Sequence, residues 1–189
     1  MLVLGIDPGT ANTGYGVVRG GGAGAPTLVE CGVIRTKARD PLPERLLEIH
    51  QGVRELIERH APDAMSVEDV FYARNVRTTV VLGHARGVIL LAAAQAGLEV
   101  NEYAPSEIKK AVVGTGNATK EQVQFMLTRL LRLKSVPQPS DAADGVAAAL
   151  ACLMGTSLPR LDAGGRVREP SRPASPLSRP TLPPSTRRP

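Results

Sequence analysis

Tryptophan is absent from the 189 residues, and phenylalanine and tyrosine together number five. A core must therefore be assembled from aliphatic side chains and alanine, and an aromatic placed outside it stands out. Cysteine is almost as scarce. Cys31 and Cys152 lie far apart and lack metal-ligand spacing, which argues against a zinc site or a disulfide framework and for buried thiols. No apolar run reaches the length of a membrane span, and no basic-plus-apolar leader opens the chain. The expectations are no membrane partner and a cytoplasmic location. The three histidines offer no pair placed as a catalytic base and its partner.

Charge is present in quantity, but its excess is local. Seven arginines against two acids follow Ser157 and account for the whole net charge of +5. The remainder is formally neutral yet polarised. Phe71 to Lys134 hold nine lysines and arginines against four glutamates. That suits a surface meeting phosphates, although solvated helix faces give the same pattern. From Ser157 onward eight prolines, with serine and arginine, leave too little apolar surface for a core. We expect a domain over residues 1–156 and a disordered basic tail over 157–189.

Leu2 to Ile6 read as a strand buried on both faces, ended by Asp7 and the Pro8-Gly9 turn. Gly14 to Val18 and Thr27 to Thr36 supply two more strands at hairpin distance, so the first three form an antiparallel meander. Apolar residues at Leu42, Leu46, Ile49, Val53 and Ile57 predict an amphipathic helix to about His60. Ala64 to Glu68 is a fourth strand. Arg74 to Thr79 reads as a loop and Val80 to Gln95 as a helix of small and apolar residues, either buried or a subunit interface. A fifth strand covers Leu98 to Tyr103. Helices follow from Pro105 to Val113, from Thr119 to about Arg132 behind a Thr119/Gln122 capping box, and from Asp141 to Met154.

Four carboxylates stand out. Asp7 and Glu68 each end an apolar strand, while Asp141 and Asp144, three apart, share one side of a helix start. Each alone has a structural reading, since acids are favoured in a first helical turn and strand ends are polar. Together they can build an acidic cluster that a hard cation stabilises. Oxygen ligands select Mg²⁺ or Mn²⁺, and two such ions suit phosphodiester hydrolysis without a histidine base.

The segments Gly5-Ile6-Asp7-Pro8-Gly9-Thr10, Thr13 to Val17, Val67 to Asn75, Leu82 to Gly87 and Asp141-Ala142-Ala143-Asp144 resemble the bacterial RuvC Holliday junction resolvases. The likeness runs from Met1 to about Met154 with the motifs in order. It implies an α/β, ribonuclease H-like fold: a five-stranded mixed sheet flanked by helices. It also implies a homodimeric, Mg²⁺-dependent endonuclease that nicks two strands of four-way junction DNA symmetrically, in cooperation with a branch-migration complex. By position, Asp7, Glu68, Asp141 and Asp144 match the family's catalytic metal ligands, which hold two ions. Lys109 and Lys120 match its basic residues at the scissile DNA, with Lys110 beside them. Phe71 matches an aromatic that stacks on or wedges unpaired bases. Tyr72, Arg74 and Arg77 extend that surface, because rings beside cations suit single strands.

Three alternatives share some of these features. Gly-Ile-Asp-Pro-Gly-Thr also resembles the phosphate hairpin of actin-like and sugar-kinase ATPases, but those need two such domains. A resolvase-like family of ribosomal RNA maturation uses a similar scaffold, and the Glu68 to Asn75 segment argues against it. A non-catalytic junction-binding protein would lack one or more of the carboxylates.

Overall fold

The computed structural model describes residues 1–20, 24–69 and 76–155. The proposed tail, and Phe71, Tyr72 and Arg74, lie outside the described residues.

Five strands form one sheet: β1 (Leu2–Asp7), β2 (Asn12–Arg19), β3 (Thr27–Arg35), β4 (Ala64–Glu68) and β5 (Glu99–Tyr103). Their order is β3-β2-β1-β4-β5. The β1–β2 and β2–β3 pairs are antiparallel, as the short connections require, and β4 and β5 run parallel to β1. β1 therefore lies at the centre, which is why Leu2 to Ile6 are buried in succession rather than alternately.

Two apolar layers cover the sheet. On one face, α1 (Leu42–His60) and α2 (Val76–Gln95) pack on Leu4, Ile6, Val17, Met65 and Val67. On the other, α5 (Ser140–Gly155) lies against Val3 and Val18, with α3 (Pro105–Val113) and α4 (Lys120–Leu130) outside it. α5 is the buried element: Ala142 to Cys152 are enclosed apart from Asp144. Small residues allow that, because a helix of alanine and glycine can approach a sheet more closely than one of leucine. A methyl added to Gly5 would meet the Gly145 carbonyl oxygen at 2.2 Å and the Ala149 nitrogen at 2.3 Å. Both are backbone atoms, so the strand and the helix are in direct contact.

Three expectations need correction. α2 begins at Val76, inside the stretch read as a loop. Its β-branched start Val76, Thr78, Thr79, Val80 lowers helix propensity, but by only tenths of a kcal/mol per residue, and packing of the helix outweighs that. α4 ends at Leu130, where Arg132 turns into the left-handed region at φ 52°. Finally, α2 is long and apolar enough, by composition, to cross a bilayer. It carries Arg77 and Arg86, and buries Ala85, Ile89, Ala92 and Ala93 in the layer with α1. That packing accounts for its inner face, while Val76, Val80 and Leu91 stay exposed on the outer one. Of the thiols, Cys152 is buried as expected and Cys31 half-buried, and neither is in a disulfide.

Candidate active site

Ile6 pairs with Val67 in the parallel β1–β4 ladder. The next residues, Asp7 and Glu68, therefore end neighbouring strands, which are about 4.8 Å apart. Side-chain alternation sets their direction. Leu4 and Ile6 face α1 and α2, so Asp7 faces α5 with Gly5. Ser66 donates to the Ala148 carbonyl of α5 at 2.7 Å, so Glu68, two residues on, shares that face.

The N-terminus of α5 arrives at the same place because of a second glycine. Gly14 is the register partner of Asp7. A Cβ there would lie 1.9 Å from the Asp141 carbonyl oxygen, so the first turn of α5 rests directly on the β2 backbone. A turn later, the missing side chain of Gly145 leaves room for Tyr15, whose backbone a Cβ would meet at 2.5 Å. Asp141 and Asp144 are thereby set over the ends of β1 and β4. The structure thus brings all four sequence-nominated carboxylates into one neighbourhood.

The electrostatics register that convergence. Burial pushes the Asp7 carboxyl up to about 8, and the charges of Glu68, Asp144 and Asp141 add to the shift against Lys120. Glu68 is pushed up to about 7, first by burial and then by Asp144, with Lys109 and Lys120 opposing. Lys120, at the start of α4, donates to Asp144 Oδ2 at 2.8 Å. Burial disfavours its charge, but the bond to Asp144 and the charges of Asp144, Asp141 and Asp7 outweigh that and raise its pKa. Lys109 of α3 acts on Glu68. Lys110, about 100° further round α3, is exposed. Arg77 is exposed in the first turn of α2.

As the side chains stand, no three Asp, Glu, His or Cys among the described residues are arranged to hold one metal ion. Asp144 is instead turned onto the Lys120 ammonium. The donor chemistry nonetheless fits a hard dication. Four carboxylates meet with no histidine or thiolate, and two of them resist ionisation where only lysines balance their charge.

One consequence concerns stability. An unfolded Asp titrates near 4 and Asp7 near 8. Between those values the native state holds one proton more than the unfolded state. This stability is complete below pH 4 and is lost as pH rises through 8. Asp7→Asn keeps the uncharged form at all pH values. In metal-free protein at pH 8 it should raise the melting temperature by roughly 3–10 °C, for about 1–3 kcal/mol, by calorimetry. At pH 4 the gain should vanish.

A mixed five-stranded sheet with acids at the ends of β1 and β4 and at a helix start defines the ribonuclease H-like nuclease class. Comparison narrows it. The family model described as crossover junction endodeoxyribonuclease RuvC matches residues 3–152. The RuvC of Moorella thermoacetica is 52% identical over 151 residues, covering 79% of this chain and 89% of the relative. The Thermus thermophilus RuvC structure superposes with a TM-score of 0.76 at 39% identity, over 83% of this chain and 96% of that one. The same protein in complex with Holliday junction substrate gives a TM-score of 0.76 at 36% identity, with the same coverage. The chain belongs to the crossover junction endodeoxyribonuclease RuvC family.

The sequence nominates the four acids and Lys109, Lys110 and Lys120, but not what positions them. Gly5 and Gly14 read there only as strand residues and Gly145 only as a helix residue. Their signal was present in the sequence: β1 and β2 carry glycine on the face that α5 covers.

Proposed function

We propose that Asp7, Glu68, Asp141 and Asp144 are the metal ligands and catalytic residues of this divalent-metal-dependent Holliday junction endonuclease, and that they hold two Mg²⁺ ions per subunit, with Mn²⁺ able to substitute. The observation that carries this reading is the meeting of two strand-end carboxylates with the acidic first turn of α5. When bound, such ions activate a water and stabilise the departing oxygen of the phosphodiester. The chain's own groups do the remainder. Asp7 and Glu68, on adjacent β-strands, are fixed in relation to each other by the ladder. Asp141 and Asp144 complete the cage from a helix that cannot slide, since glycine contacts lock it. Lys120, which holds Asp144 in the absence of ions, would leave it free to be a ligand and would join Lys109 in contacting the scissile phosphate. Lys110 adds charge to the approach.

Phe71, Tyr72, Arg74 and Arg77 form the strand-binding surface. Their composition supports it, with rings beside cations directly after Glu68. Phe71→Ala should slow cutting of a four-way junction by about 10-fold or more and weaken binding less, since phosphate contacts carry most of the affinity while a stacked base worth ~1–3 kcal/mol acts on the opened junction that is cut. Cutting time courses and gel-shift titrations of the same junction separate the two effects. Equal activity would return Phe71 to a purely structural role.

Two symmetric cuts call for two sites related by a two-fold axis. α2 supports such an axis. Val76, Val80 and Leu91 are exposed, and a methyl added to Gly83 or Gly87 meets nothing within 4 Å among the described residues. That face is apolar and permits close approach of a second copy. Val80→Asp should shift the protein to monomer in sedimentation and uncouple the two nicks in a cruciform plasmid. We further read residues 1–156 as the nuclease domain, the basic tail as a salt-sensitive contribution to DNA affinity, and a branch-migration complex as the cytoplasmic partner that presents the junction.

The deciding experiment incubates the protein with a labelled four-way junction, a plain duplex and an RNA–DNA hybrid, with and without Mg²⁺. Paired nicks confined to the junction and dependent on Mg²⁺ are expected. Cutting of the hybrid alone would redirect the assignment to RNA.

A further inference from the structure

Arg86 takes no part in the chemistry above, yet it ties together the two strand ends next to Glu68. It projects from the middle of α2 and is three-quarters covered, at 25% exposure. Its Nη2 pairs with Glu102 Oε2, and its buried Nε lies 3.6 Å from Asp69 Oδ1. Glu102 is in β5 and Asp69 directly follows β4. In the β4–β5 ladder Val67 faces Glu102 and Glu68 faces Tyr103, and the Asp69 N–H donates to the Tyr103 carbonyl at 2.8 Å.

Strand alternation separates two functions at this point. Val67 and Val100 pack in the α1/α2 layer, so Glu102 and Asp69 lie on that face. Glu68 lies on the opposite face, towards α5. The guanidinium thus pairs with Glu102 at the end of β5 and faces Asp69 at the end of β4 at ion-pair distance, its Nε making no hydrogen bond among the described residues, so it bridges from behind the residues that flank Glu68 and its ladder partner. A guanidinium fork can fix two carboxylates in one plane, whereas an ammonium on the same helix would act as a point charge. Removal of the fork takes away the cation shared by two acids on adjacent strand ends, where like charges oppose the pairing.

We propose that Arg86 is a positioning residue for phosphodiester hydrolysis: by clamping Asp69 to Glu102 behind the sheet, it holds Glu68 in place to share metal ions with Asp7. This inference rests on the reading of the four carboxylates as the metal site. It also gives α2 a second task, because the helix that presents the apolar outer face carries the clamp on its inner one.

The test compares the full-length protein with Arg86→Ala, Arg86→Lys and Asp7→Asn. In Arg86→Ala, single-turnover cutting of a four-way junction should fall by ~10–100-fold, with the Mg²⁺ concentration for half-maximal rate raised and junction affinity within about threefold. The amide of Asp69 should exchange faster in metal-free protein, and the rise in melting temperature on adding Mg²⁺ should shrink. Arg86→Lys should recover part of each loss. Arg86→Ala that cuts at the wild-type rate and Mg²⁺ requirement overturns the proposal. So does a loss confined to junction affinity, which makes Arg86 a DNA contact. If Arg86→Ala does not fold, Arg86→Lys decides, and wild-type values there overturn it. Failure of the underlying metal-site reading is seen separately, as cutting by Asp7→Asn.

Discussion

Asp7→Asn should reduce Mg²⁺-dependent cutting of a four-way junction by at least ~10³-fold while leaving junction affinity nearly unchanged. The substitution is almost isosteric at the end of a central strand whose neighbours are fixed by backbone pairing to Gly14 and, one residue earlier, to Val67. It therefore changes charge rather than shape. Asp7 is the most strongly perturbed acid of the cluster, and its carboxyl feels Glu68, Asp144 and Asp141 together. An amide there offers one neutral oxygen where a charged one is needed to hold a dication. Binding should not suffer, because acids beside a phosphodiester repel it and the attraction comes from the lysines. Single-turnover cutting with Mg²⁺, set beside gel-shift titration without it, measures the two quantities. The calorimetric gain expected for the same variant at pH 8 excludes the trivial explanation, since a protein that loses activity while melting higher has not lost its fold. Undiminished cutting by Asp7→Asn, Glu68→Gln and Asp144→Asn would falsify the site assignment.

How this site could be anticipated from the sequence, and where that stopped, follows from the range of the interactions. β1 was legible because a strand buried on both faces must be apolar throughout, and Leu2 to Ile6 are. The α4 start was legible because Thr119 and Gln122 cap it within four residues, and the Gln122 backbone N–H donates to Thr119 Oγ1 at 3.3 Å. Both are local rules. The convergence of the acids is not local. It depends on Gly5 and Gly14 meeting α5 across more than a hundred residues, and a glycine in a strand reads equally as a bulge, a turn or a close contact. The same holds for Lys120. Its spacing from Asp144 carries no period, so their 2.8 Å bond could not be read off the chain. Arg86 was visible only as part of a motif. Its partners Asp69 and Glu102 come together through the register of two parallel strands, which sequence alone does not supply.

Those glycine contacts lead to the second large effect. Gly14→Ala should destabilise the domain by about 1–3 kcal/mol and slow junction cutting by ~10²-fold or more in the molecules that remain folded. The added methyl would lie 1.9 Å from the Asp141 carbonyl oxygen, 2.5 Å from its carbon and 3.3 Å from its Cα. All three are backbone atoms, so no rotamer change relieves the clash. Either β2 sinks away from α5 or the first turn of α5 lifts. β2 is held between β1 and β3 by paired ladders on both sides, so the helix start is the part with freedom to move. Its displacement carries Asp141 and Asp144 away from Asp7 and Glu68, and a shift of about 1 Å in a catalytic group suffices for the loss named. Gly24→Ala is the matched control: the same methyl is added where nothing among the described residues lies within 4 Å, and neither stability nor cutting should change. Denaturant titration gives the first quantity and single-turnover cutting at low temperature, where the variant is fully folded, gives the second. If Gly14→Ala loses stability but cuts at the wild-type rate when folded, then the seating of α5 on β2 serves only the core, and the acids of its first turn are held in place by something else.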